Sequence, residues 1–284
     1  MPTLVKLKQE LEFNRGLGDI IDTLKSAALV QFRLFQTKDK PNEAFEKEIE
    51  GVFHVIAKLL EFKHPYFYER KGLSRAIVVV TSDEGFLGEL NTLLVNAGLD
   101  ERSSPRDEII ILGERGAKFL DEMGESFFTF PGIGDEIDFK SIDNLSGYLL
   151  KSYRKKYQLI SVVYPEFVSL TTQRVRIIQL LPYQFSDTKQ STLTRLDEVI
   201  IEPTVNSVLE SLVRLYLGYK FFEIFWSSKQ SEYAARIMHL ESSTSELSFL
   251  NQKLAFNYFR QVHAISDKTI REISASRSLL GKNK

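Results

Sequence analysis

The sequence contains no cysteine, which excludes disulfides, thiolate metal sites and a cysteine nucleophile, and fits a reducing compartment. It also lacks a dominant charge: 37 Lys and Arg stand against 38 Asp and Glu, so no overall field draws the chain to nucleic acid or to an anionic membrane. Long apolar runs are missing as well. The longest apolar region, Leu212–Trp226, is broken by Arg214, Lys220 and Glu223 and is too short to span a bilayer. Residues 1–30 lack the basic, apolar and small-residue regions of a signal peptide. A soluble, unprocessed protein is expected.

Catalytic signatures are equally scarce. His54, His64, His239 and His263 fall at no metal-binding spacing. No G-x-S-x-G, Walker A or G-x-G-x-x-G occurs. Gly113–Lys118 (GERGAK) has the wrong spacing for a phosphate loop and no Ser or Thr after its Lys. The expectation is no catalytic residue, no metal and no cofactor.

What is present is a long stretch without helix breakers. Between Pro203 and Gly281 there is no proline, and Gly218 is the only glycine. Pro203-Thr204 suits a helix start and Gly281 a stop. One helix of roughly 75 residues would be about 110 Å long, whereas a compact chain of this length has a radius of gyration of about 19 Å. Such a rod must project. Leu247, Leu250, Leu254, Tyr258, Val262, Ile265, Thr269 and Ile273 recur at spacings of three and four, as the seam of a coiled coil or bundle does. Phe249, Phe256 and Phe259 lie off that stripe and call for further cover. The hydroxyl-rich run Glu241–Ser248 is the place where the helix could be interrupted.

The amino-terminal part repeats the pattern with Leu4, Leu7, Leu11, Leu17, Ile20, Ile21, Leu24, Ala28 and Phe32. Gly16 and Gly18 weaken it unless packing compensates or a close approach needs them. Lys38–Asn42 is a break at Pro41, and helical spacing resumes over Glu43–Phe62. From Arg75 the period changes. Ala76–Thr81, Glu108–Leu112, Ser126–Phe130, Tyr157–Tyr164 and Thr172–Leu181 read as strands. Helices are expected over Leu90–Gly98, up to Glu122, and over Ile137–Lys155. Phe185–Leu196 reads as a polar loop, with Asp197–Ile201 leading into the long helix. This alternation predicts a Rossmann-like α/β layer, mainly parallel with an antiparallel edge. Three domains follow: a helical part over 1–62, an α/β domain over 75–201, and a long helix over 202–284.

Three local sequences, in order, carry a resemblance. Thr81–Asn91 (TSDEGFLGELN) is similar to T-S-D-R-G-L-C-G-G-L-N. Ser231–Met238 (SEYAARIM) is similar to S-E-x-A-A-R-M, and Phe256–Gln261 (FNYFRQ) to Y-N-x-x-R-Q. Together with the layout of helices around an α/β insertion, they identify the chain as resembling the gamma subunit of rotary F-type ATP synthases over almost its whole length. The resemblance implies α/β plus a long, left-handed antiparallel coiled coil of the two terminal helices. It implies a rotary motor's central stalk, active in ATP synthesis and proton transport, with one copy per complex. Its partners would be a ring of alpha and beta subunits, an epsilon subunit and the membrane ring of c subunits, without nucleic acid. The location implied is the cytoplasmic face of the bacterial inner membrane. Carried residue by residue, the partner-contact set is Leu24, Lys25, Ser82, Asp83, Gly85, Asn91, Arg236, Met238, Arg260 and Gln261.

The chain departs from the family pattern at several places. Glu10, Asp19 and Asp22 stand where the family is usually basic or polar, and Leu24 replaces a common Met. Glu84 replaces Arg and Glu89 replaces Gly in the first motif. Ala264–Asp267 replaces I-T-Q-E. A non-rotating coiled-coil scaffold or adaptor built on the same fold is the alternative reading, and a nucleotide-binding enzyme a third.

Overall fold

Aliphatic residues buried on both faces make β1 (Ser74–Val80) the centre of a five-stranded sheet. In a computed structural model that describes residues 3–38, 40–185 and 201–280, the elements run α1 (Leu4–Gln36), α2 (Glu43–Leu59), β1, α3 (Leu90–Asp100), β2 (Glu108–Leu112), α4 (Glu114–Glu122), β3 (Phe127–Phe130), α5 (Phe139–Lys155), β4 (Tyr157–Ser169), β5 (Thr172–Leu181) and α6 (Val205–Leu280). They form two compact units, Gln31–Arg236 and the pair of segments Met1–Val30 and Ile237–Lys284. The division falls inside α1 and α6, and α2 belongs to the larger unit, whereas the sequence grouped residues 1–62 together.

The larger unit carries the sheet in the order β3-β2-β1-β4-β5. The first four of these strands are parallel, and β5 pairs antiparallel with β4 at the edge. Alternate side chains feed two layers. Val78, Val80, Ile110 and Val162 pack with Phe53 of α2, Leu145 and Leu149 of α5, and Val213, Leu217 and Phe221 of α6. On the opposite face Ile77, Val79, Ile109 and Ile111 meet Leu90 and Leu94 of α3 and Leu120 of α4. Each such side chain contributes about 1.5–3 kcal/mol by leaving water. The approach of α3 is tight, because a Cβ on Gly98 would lie 2.4 Å from Val79 Cγ2. Helix α5 starts two residues later than the periodicity indicates. Asp138 caps it, accepting from Lys140 N at 3.0 Å and Ser141 N at 3.2 Å.

In the smaller unit α1 turns inward Leu4, Leu7, Leu11, Asn14, Gly18, Ile21, Lys25 and Ala28, alternately three and four residues apart. From α6 the inward set is Leu240, Thr244, Leu247, Asn251, Leu254, Tyr258 and Gln261, at the same spacing. The two helices are antiparallel, since Gly18 faces Leu247 and Lys25 Nζ meets Glu241 Oε2 at 3.0 Å. This 3.5-residue repeat is the seam of a left-handed coiled coil.

Several expectations are corrected here. Leu17, Ile20 and Leu24 face outward, as do Leu250, Ile265, Thr269 and Ile273. The seam accepts Asn14, Gly18, Lys25 and Asn251 in a register that apolar counting cannot see. Glu241–Ser248 does not interrupt α6. Ser243, Thr244 and Ser245 donate their hydroxyls to the carbonyls of His239, Leu240 and Glu241 at 2.9–3.1 Å, and so bond within the helix instead of breaking it. Neither Gly16 nor Gly18 is demanded by a close approach: a Cβ would meet nothing within 4 Å at the first and only Leu247 at 3.6 Å at the second. Helix α6 starts where Pro203-Thr204 suggested, and Thr204 Oγ1 accepts from Ser207 N at 3.2 Å. The stop at Gly281, and most of the loop and lead-in expected over Phe185–Ile201, lie outside the described residues.

Candidate partner-contact surfaces

The first motif follows β1, where the chain must leave the sheet and enter α3. Apart from Glu89, its polar side chains are spent inside the larger unit. Ser82 N donates to Asn91 Oδ1 at 3.2 Å, and Ser82 Oγ donates to Glu84 O at 2.8 Å. Asp83 Oδ1 accepts from Glu114 N at 2.9 Å, placing a carboxylate at the amino end of α4, where the helix dipole favours it. Thr81 Oγ1 donates to Leu112 O at 2.6 Å and accepts from Gly116 N at 3.2 Å. The turn takes left-handed backbone at Phe86 (φ 64°) and Gly88 (φ 58°), not at Gly85.

The second motif lies on α6 and meets the first. Arg236, buried, reaches Glu84 Oε2 at 2.8 Å and donates from Nε to Gly85 O at 3.4 Å. Its Nη2 also contacts Glu232 Oε1 at 2.8 Å. At position 84, where the family pattern has Arg, this chain's Glu gives Arg236 a carboxylate partner. Ser231 Oγ donates to Pro165 O at 3.0 Å, tying the motif to β4.

In the smaller unit Lys25 is also occupied, by Asp22 at 3.1 Å and Glu241 at 3.0 Å. Both carboxylates hold its ammonium above the usual lysine pKa. Leu24, Met238 and Arg260 are exposed, and Gln261 is half-buried at a seam position. The outward faces are unusually apolar. Phe13 and Ile20 on α1, and Phe249, Phe256, Phe259, Ile265, Ile270 and Ile273 on α6, are each more than half exposed. From His263 to Ala275 every described side chain of α6 is exposed. Such a surface marks a site of association.

The expected set therefore divides. Ser82, Asp83, Gly85, Asn91 and Arg236 come together at the carboxyl end of β1, while Leu24, Met238 and Arg260 remain on the surface. Sequence reading missed Lys229, Glu232 and Asp135, which are joined to Arg236 in one ion network. The i, i+3 and i, i+4 spacing of Lys229, Glu232 and Arg236 was the available signal. Among the described residues no cluster of three His, Asp or Glu could hold a metal, and no helix is long and apolar enough to cross a membrane.

A family model described as ATP synthase matches residues 3–277. The chain belongs to the ATP synthase family. Curated relatives include the ATP synthase gamma chain of Cytophaga hutchinsonii, 27% identical with 96% of this chain and 97% of that protein covered. The ATP synthase gamma chain of Pelotomaculum thermopropionicum is 23% identical over 96% and 97%. A chain in the OSCP/F1/c-ring structure of Euglena gracilis mitochondrial ATP synthase shares the fold, with a TM-score of 0.72 at 16% identity, covering 98% of this chain and 94% of its own. A chain of the rotor of the same synthase gives a TM-score of 0.68 at 16% identity, over 92% and 98%. Membership in the ATP synthase family thus accompanies the expected fold class, a parallel-rich sheet with long terminal helices.

Proposed function

We propose that this chain is the central-stalk rotor subunit of an F-type ATPase, gamma in kind. It transmits torque between a membrane ring of c subunits and a ring of alternating alpha and beta subunits, and also contacts an epsilon subunit. The observation that carries this reading is the apolar outer surface of the coiled coil in a chain matched along almost its whole length by the ATP synthase family model. A helix pair with Phe249, Phe256 and Phe259 turned outward needs an encircling partner, and a ring supplies one on all sides. Nucleotide chemistry belongs to the beta subunits, and this chain contributes asymmetry and stiffness. One copy serves each complex, on the cytoplasmic face of the bacterial inner membrane. Leu24, Met238, Arg260 and Gln261 are the contacts with the ring, with Arg260 offering a forked donor to a carboxylate or a carbonyl. Ser82, Asp83, Gly85, Asn91 and Arg236 act from behind by holding the larger unit together.

Affinity purification of the tagged chain from its native host tests this reading. The expected product contains three alpha-like and three beta-like chains per tagged chain and hydrolyses ATP. Recovery of the chain with other coiled-coil proteins and no such hexamer would replace the rotor by a scaffold.

A further inference from the structure

In α/β sheets, ligands settle outside the carboxyl ends of the strands, at the point where the strand order reverses. Here that point lies between β1 and β4. The space is taken by α6. Ser231 Oγ donates to Pro165 O, Phe167 N donates to Ser227 Oγ at 3.0 Å, and the void lined by Thr81, Ser82, Pro165, Ser228 and Glu232 is only about 10 Å³. That is barely the volume that one water needs. The crevice is closed to a nucleotide because the chain's own helix occupies it.

The occupant is also tied by charge to two loops. Glu232, 7% exposed, accepts from Lys229 Nζ at 3.0 Å through Oε2 and from Arg236 Nη2 at 2.8 Å through Oε1. Arg236 continues to Glu84 in the loop after β1. Lys229 continues to Asp135, after β3, at 3.6 Å, and Tyr233 donates to the same Asp135 oxygen at 2.8 Å. Lys229 and Arg236 stand seven residues apart on one face, about 10 Å along the axis. Charged forks add fixed directions to the angle and register that apolar packing sets.

We propose that this filled crevice is the grip that keeps α6 from twisting or sliding in the α/β unit, with Lys229, Glu232 and Arg236 as positioning residues for torque transfer. It rests on the rotor reading. Turning or sliding α6 would strain the links to Glu84 and to Asp135.

The test uses the whole complex with two variants: Glu232→Gln, and the triple Lys229→Met, Glu232→Leu, Arg236→Met, which fills the space and leaves no buried charge unpaired. Subunit ratios, ATP hydrolysis and ATP-driven ion uptake into vesicles are measured on each preparation. The triple is expected to assemble and hydrolyse ATP, with ion uptake per ATP falling about fivefold or more. Unchanged uptake per ATP in the triple would overturn the grip, because apolar packing would then suffice. Failure of both variants to assemble would also overturn it and make the network a folding element. A wild-type complex without ion uptake would instead sink the rotor reading, and that result appears before any substitution is made.

Discussion

The larger unit and the coiled-coil unit handle the same two kinds of side chain in opposite ways. In the larger unit the sheet's apolar residues are sealed in two layers, although Phe86, Phe139 and Leu215 stay exposed elsewhere on it, and most polar groups of the first two motifs satisfy one another. In the coiled coil polar or small residues (Asn14, Gly18, Lys25, Asn251) occupy seam positions, while phenylalanines stand outside. A layered unit has an interior that can take most of its large apolar side chains. A unit whose apolar surface is meant for partners leaves it open and accepts a weaker seam.

The contrast can be broken most strongly from the larger unit. Phe221, fully buried, leaves a large cavity when truncated, so Phe221→Ala should cost about 3–5 kcal/mol. The sequence has one tryptophan, Trp226, and it lies buried in this unit. Its emission therefore follows the larger unit, and the denaturation midpoint read from it should drop. Far-ultraviolet circular dichroism reports the helices of both units together.

A smaller effect separates the units by pH. Burial raises the phenol pKa of Tyr153, Tyr157, Tyr183, Tyr216 and Tyr233, and pushes Tyr164 up to about 12. All of them belong to the larger unit. A phenol raised in the folded state contributes fully below its unfolded value near 10, and that contribution is lost as pH climbs through 12. Stability of the larger unit should thus be flat up to about pH 10 and then decline, by on the order of 2 kcal/mol from Tyr164 alone. A Trp226-monitored midpoint equal at pH 8 and pH 11 would contradict this.

In the coiled coil the sign reverses. Asn251 Oδ1 is buried without a hydrogen-bond partner, so Asn251→Leu should stabilise the seam by about 1 kcal/mol. Loss of helicity on heating should move to higher temperature while the Trp226 transition stays in place. Destabilisation would mean that the amide fixes the register of the pair, as polar seam residues do elsewhere.

The smallest effect is expected at the outer face. Phe256→Ser with Phe259→Ser should change the stability of the isolated chain by less than about 0.5 kcal/mol for each substitution. Self-association in sedimentation should fall, and so should capture of alpha- and beta-like chains. A large stability loss would show that these rings are already covered.

Much of this was legible in the sequence because its physics is local. β-Branched runs, helix breakers and the Pro203-Thr204 start fix element types from neighbours alone, and they placed β1 to β5 within a few residues except at the end of β4. The coiled-coil seam was only half legible. Leu247, Leu254, Tyr258 and Val262 do face inward, but periodicity counts hydrophobic side chains, and Lys25 enters the seam only because Glu241, 216 residues away, receives its ammonium. The second motif was legible as a pattern and illegible as a contact. That Arg236 meets Glu84 depends on α6 returning to the carboxyl end of β1, a long-range event that no spacing records.

The alternation of three and four residues along α1 has a consequence in mechanics. Because 3.5 falls short of the helix's own 3.6, the pair must wind left-handed, by about 20° for each heptad. A wound pair is chiral under load. Turning its ends in one sense tightens the winding and presses Leu7 and Leu247 into their neighbours, while the opposite sense unwinds it toward straight helices whose inward residues drift apart. The stalk's resistance to twist is therefore set to differ with the direction of rotation by the spacing of its inward residues alone.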